Sequence, residues 1–149
     1  MVGAHLLETM LEGAAIDSLP IKTVGELARD ARAVERWNRL HPGEARRTSH
    51  VEACLAGPRP TVAATDYVRA YPQLVASYLP GRYVTLGTDG FGRSDTRSKL
   101  RRFFEVDRSS IVVAALDALS REGTVERATV AVAITRYGID VDGPASWTC

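Results

Sequence analysis

Cysteine, charge imbalance, targeting signals and long apolar runs are what this chain of 149 residues has least of. Its two cysteines, Cys54 and Cys149, lie far apart and form no disulfide framework. No basic-then-apolar leader and no long apolar run opens the sequence. A membrane span is therefore not expected, and a reduced, cytoplasmic setting is. A formal net charge of +1 supplies no broad field to attract nucleic acid or anionic lipid. No repeat or low-complexity tract interrupts the chain. What remains is ordinary: with 45% hydrophobic and 25% charged residues, the composition suits one globular core.

The pattern along the chain alternates helices and strands. "HLLETMLEG" places Leu6, Leu7, Met10 and Leu11 at helical spacing and stops at Gly13. "IDSLPIKTV" has strand character, but Pro20 restricts it to an edge. After Thr23, a candidate cap, "VGELARDARAVERW" reads as a helix that "HPGEARRTS" breaks. "HVEACLAGPRP" predicts a helical turn or two ended by Gly57 and Pro58, "TVAAT" a short buried strand, and "DYVRAYPQLVASYLP" a helix starting at Asp66 and interrupted near Pro72. "RYVTLG" is the clearest strand. Helices "TRSKLRRFF", "SSIVVAALDALSREG" and "VERATVAVAITRYG" follow. The second is apolar on nearly every side, which predicts burial, and the third ends at Gly138. This order predicts an α/β fold with a mainly parallel sheet and a helical C-terminal lobe.

Between the clearest strand and the next helix lies "GTDGFGRSD". Gly87, Gly90 and Gly92 permit backbone conformations and close approaches that other residues resist, and Ser94 or Asp95 could cap the helix. A phosphate loop needs a different spacing, however, and Asp89 and Asp95 would repel an anion. A structural turn is the better reading. Other constellations are thinner. His50 and Cys54 share a helical face with His41 upstream, but four zinc ligands do not assemble. A catalytic triad would have to join Cys54 or a serine to His5, His41 or His50 and a carboxylate, and no nucleophile-elbow spacing occurs. Arg93, Arg97, Lys99, Arg101 and Arg102 form a basic run without a stacking array, which suits a solvated or partner-facing surface better than nucleic acid. Trp37 and Asn38 read as packing and loop residues.

In order and spacing, "ERWNRLHP", "VAATDYVRAYPQ", "YVTLGTDGFGRSDTRSKLRRFFEVD" and "VVAALDALSREG" resemble the C-terminal domain of the homodimeric-type pyruvate dehydrogenase decarboxylating component. The resemblance runs over residues 3–141, and the tail 142–149 has no counterpart. "FGRSD" also resembles the "FGxSA" turn of transketolase C-terminal domains, the wider superfamily. The resemblance implies a three-layer transketolase C-terminal-like domain. It also implies thiamine diphosphate and magnesium held by two other domains, the pyrophosphate and pyrimidine domains, through a "GDG…N" motif and an activating glutamate. "TDG" at Thr88, Asp89 and Gly90 is similar to the start of that motif, but the sole asparagine, Asn38, lies upstream. No catalytic, cofactor-binding or metal residue is therefore expected in this chain.

The family's first strand leads into "GSGAIL", whereas this sequence enters at Gly3 and Ala4, so that strand is expected to be missing or reduced. An uncovered sheet edge beside it would favour association. The expected arrangement is a separately encoded C-terminal subunit of a split thiamine-diphosphate enzyme acting on a 2-oxoacid such as pyruvate. It would assemble with chains carrying the pyrophosphate and pyrimidine domains, or with a second copy of itself. Thr88, Asp89, Gly90, Phe91, Gly92, Arg93, Ser94 and Asp95 are the candidate interface. The alternative is a stand-alone regulatory or scaffolding module that keeps the fold without catalysis.

Overall fold

The computed structural model describes residues 21–57 and 59–148. The helix expected at 4–12, the position of the first strand expected to be missing or reduced, and residues 16–20 of the expected edge strand lie outside the described residues. In chain order the elements are α1 (Ile21–Leu40), α2 (His50–Cys54), β1 (Thr61–Ala64), a 3-10 helix (Pro72–Tyr78), β2 (Tyr83–Leu86), α3 (Arg97–Phe103), α4 (Arg108–Arg121), α5 (Arg127–Tyr137) and a final 3-10 turn (Ser146–Thr148). The two strands pair in parallel, with Thr61 opposite Tyr83 and Ala64 opposite Leu86. The fold is α/β, as the alternation of elements predicts.

Two hydrophobic clusters build the described structure. Ala28 and Ala31 of α1, Val51 of α2 and Val75 of the 3-10 helix form one, with Tyr83 of β2 packed against it. Small residues on α1 let its axis approach these neighbours closely, and both alanines are buried. Leu116 of α4, Val125 and Ala133 of α5 form the other. Helix α4 also packs on both strands, so the strand pair joins the two clusters.

Several expectations need correction. Ile21–Val24 are not strand but the first described turn of α1, and Thr23 lies inside the helix rather than capping it. Val24 continues the apolar stripe of Ala28 and Ala31 at helical spacing, and such a short apolar run suits either period. Asp66 does not start a helix. Residues 66–71 form turns, and only Pro72–Tyr78 is helical, as 3-10. The backbone there serves the glycine turn instead: the Tyr67 carbonyl accepts from Thr88 N (2.9 Å) and Arg69 N donates to Asp89 Oδ1 (3.0 Å). Finally, no residue of "TVAA" is fully buried, and in α4 only Leu116 and Ala118 are. A two-stranded sheet, among the described residues, is too narrow to cover a helix that is apolar all round.

Local caps set the remaining boundaries. Ser49 and Glu52 close α2 with a reciprocal capping box. Asp107 caps α4, its carboxylate accepting from Ser110 N (2.9 Å). Gly138, at φ 58°, ends α5. Arg102 of α3 donates to the carbonyls of Tyr137 (3.2 Å) and Gly138, tying α3 to the C-terminal end of α5.

Candidate functional site

The glycine turn after β2 is held at its base by the segment after β1. Thr88 Oγ1 donates to the Asp66 carbonyl (3.2 Å) beside the Thr88 N to Tyr67 bond. Asp89 accepts the Arg69 amide on one oxygen and the Arg69 guanidinium on the other. Burial alone would push the Asp89 carboxyl up, but the Arg69 amide and guanidinium together outweigh it and hold the carboxyl below the usual range. Gly87 is buried, and a Cβ there would stand 2.7 Å from Arg69 N and the Tyr67 carbonyl. Gly90 has φ +113°, and a Cβ there would meet the Ser146 carbonyl at 2.3 Å. Both positions therefore require glycine.

Gly92 does not. A Cβ there would meet nothing within 4 Å, and its φ is unexceptional. The sequence-based expectation that Gly92 shares the constraint of Gly90 is corrected by this open space. From Phe91 onward the turn projects outward, and Phe91 is 80% exposed. Arg93 lays its guanidinium over the Phe103 ring, 4.2 Å from the centroid. Ser94 and Asp95 do not cap α3. The N-cap is Thr96, without a side-chain cap bond, and Asp95 accepts from Thr96 N (2.7 Å) and faces Lys99 (3.6 Å).

The basic run is largely engaged within the chain. Arg101 grips Asp66 with two hydrogen bonds (3.0 and 2.6 Å), and Arg97 stands 3.6 Å from the same carboxylate. Hydrogen bonding to Arg101 outweighs burial and lowers the Asp66 carboxyl, while Asp66 in turn raises Arg101. With Arg102 on the end of α5, these contacts fasten α3 to its neighbours.

Two residues at the base of the turn carry no sequence signal. Arg69 is 20 positions from Asp89, and Ser146, whose Oγ donates to the Asp89 carbonyl (3.0 Å), is 57 away. Nothing in local spacing announces either contact.

The remaining candidates do not converge. His41 Nδ1 donates to the Trp37 carbonyl (2.8 Å), and its ring stacks on Trp37 at 4.4 Å, with Arg47 over the Trp37 ring. Asn38 binds the Arg47 backbone in both directions (2.9 and 2.8 Å). His50 Nε2 and Cys54 Sγ are 3.4 Å apart, and among the described residues no three metal-ligating side chains gather. A diphosphate-bound magnesium does not fit either: both Asp89 oxygens face Arg69, and the Asn38 amide is committed to Arg47. Two cavities of about 780 and 510 Å³ are lined by residues outside 88–95. No helix among the described residues is long and apolar enough to cross a membrane.

Comparison with known proteins bears on this arrangement. Residues 6–107 match the family described as the transketolase-like TK C-terminal domain. The chain is 52% identical over 130 residues to a pyruvate dehydrogenase E1 component of Pseudomonas aeruginosa, covering 86% of this chain and 15% of that protein. It is 55% identical over 120 residues to that of Cupriavidus necator, covering 80% and 13%. With the Escherichia coli protein the identity is 45% over 131 residues, covering 87% and 15%. The chain thus spans about 15% of the length of these relatives. A match over residues 6–107, most of the chain, settles its membership: it belongs to the transketolase-like C-terminal domain family.

Proposed function

We propose that this domain serves a thiamine-diphosphate-dependent 2-oxoacid enzyme of the pyruvate dehydrogenase E1 type, as its C-terminal, non-catalytic part. The pyrophosphate and pyrimidine domains, with thiamine diphosphate and magnesium, would be supplied from outside these 149 residues, in the split arrangement by separate chains. The supporting observation is the glycine turn. A base fixed by Arg69, Asp89 and two obligatory glycines carries an outward tip with Phe91 largely exposed. Rigid support beneath an exposed aromatic is the layout of a contact surface, because little order is lost when it docks.

On this reading, residues 88–95 press on the cofactor-holding domains and stabilise the substrate entrance, and the reacting groups lie in the partner. The test mixes the purified chain with a polypeptide carrying the two other domains, thiamine diphosphate and magnesium, and follows carbon dioxide release from pyruvate and co-elution on size exclusion. The chain alone should release none, and adding it should raise the partner's rate and shift its elution. Phe91→Ala with Arg93→Ala should weaken the complex roughly tenfold, about 1.4 kcal/mol. A mixture that neither co-elutes nor gains activity would overturn the reading in favour of a stand-alone module.

A further inference from the structure

We propose that the C-terminal segment Ser146–Thr148 is a strap that sets the conformation of the glycine turn, so that the exposed tip is ordered only while the strap is seated. Ser146 is 5% exposed within an otherwise largely exposed tail, and it is one of only two buried polar side chains among the described residues. Its Oγ donates to the Asp89 carbonyl at 3.0 Å, a contact across 57 residues of sequence. Its own carbonyl occupies the space that a Cβ on residue 90 would need, at 2.3 Å. The strap and the absence of a side chain at Gly90 are thus two halves of one fit.

Arg69 completes the clamp. The guanidinium that pairs with Asp89 also lies over the Trp147 ring, 4.7 Å from its centroid, so one cation holds the turn and the strap together. The strap is shaped locally by Thr148, whose N and Oγ1 both donate to the Ala145 carbonyl (2.9 and 2.7 Å). Between α5 and this turn, residues 140–144 are exposed. A short segment seated by a few contacts at the end of an exposed stretch can open without unfolding the domain. The tip's order then follows the strap's occupancy, which makes the strap a device for switching that surface.

The inference concerns the chain alone and does not rest on the proposed function, so the experiment needs no partner. Amide hydrogen exchange would be compared for the full chain, a form ending at Gly143, and the full-length double variant Ser146→Ala, Trp147→Ala, with amides of α4 as the internal reference. Limited trypsin cleavage after Arg93 gives a second readout. Both variants should speed exchange of the Thr88 amide, which donates to the Tyr67 carbonyl, by tenfold or more, and accelerate cleavage at Arg93, while α4 exchange stays within twofold. If the truncated form loses protection in α4 as well, the double variant decides. Exchange of the Thr88 amide within twofold of the unaltered chain in the double variant, or speeding no greater than in α4, would overturn the strap.

Discussion

Residues 87–90 and residues 91–95 belong to one turn but stand under opposite constraints. In the first stretch each residue is confined: Gly87 faces the Arg69 and Tyr67 backbone, Gly90 faces the Ser146 carbonyl, and Asp89 is bound through both oxygens by the amide and guanidinium of Arg69. In the second, Phe91 is 80% exposed and a Cβ on Gly92 would meet nothing. A glycine-rich motif is therefore not a single property. Its glycines divide into those the packing demands and one it merely tolerates, and a fixed base beneath a projecting tip is what the division produces.

Valine scanning would break the comparison most sharply. At Gly87 a side chain must displace backbone at 2.7 Å, and at Gly90 it must displace a carbonyl while holding φ at +113°. Each variant should lose roughly 3 kcal/mol or more, visible as a large drop in Tm. Gly92→Val should stay within about 0.5 kcal/mol of the parent. Equal losses at positions 90 and 92 would show that the tip is as constrained as the base.

The carboxylates give a smaller and pH-dependent version of the same contrast. Asp89→Asn weakens its pairing with a partly buried guanidinium and should cost about 1–2 kcal/mol near neutrality, allowing for the solvent that reaches Arg69. The folded Asp89 carboxyl is held below its ordinary value. Its contribution is therefore complete above the unfolded pKa of about 4 and is lost as pH falls through the lower folded value. The gap in stability between parent and Asp89→Asn should close on acidification below about pH 4. Asp95 faces Lys99 at 3.6 Å on the exposed side, and Asp95→Asn should cost no more than about 0.5 kcal/mol. A gap for Asp89→Asn that is flat from pH 7 to 3 would remove the ion pair from the account.

How far the sequence discloses this structure depends on the distance over which each feature is determined. Thr61–Ala64 and Tyr83–Leu86 are legible because short β-branched runs sit between turn residues, and the end of α5 because Gly138 follows a long helical period. The family is legible from several segments in fixed order. The start of α1 is not, since a few apolar residues near Ile21 satisfy either period. Asp66 resembles a helix start and instead anchors Arg101, 35 residues away. At the site, the mismatch of the glycine spacing with phosphate loops is readable, yet the clamp is not. Arg69 and Ser146 acquire their roles only when strands and tail bring them to Asp89.

An effect smaller than those at Gly87, Gly90 and Asp89 extends the contrast to a second pair of positions, where glycine is used once and withheld once. Helices α3 and α5 end alike: Glu105 N donates to the Arg102 carbonyl and Val106 N to that of Arg101 (3.1 and 2.9 Å), while Gly138 N donates to Thr135 and Ile139 N to Ile134 (both 3.1 Å). The left-handed residue is Glu105 at φ 55° in one and Gly138 at φ 58° in the other. An exposed glutamate in that conformation carries strain of about 1–2 kcal/mol that glycine lacks, whereas glycine makes the unfolded chain more flexible by about 0.4–1 kcal/mol. Glu105→Gly should therefore stabilise the domain by about 0.5–1 kcal/mol and raise Tm by a few degrees, and Gly138→Ala should lower it by about as much. A fall in Tm for Glu105→Gly would mean that the glutamate side chain supports this corner through a contact stronger than the strain, and that α3, unlike α5, is closed by its side chain as well as by its backbone.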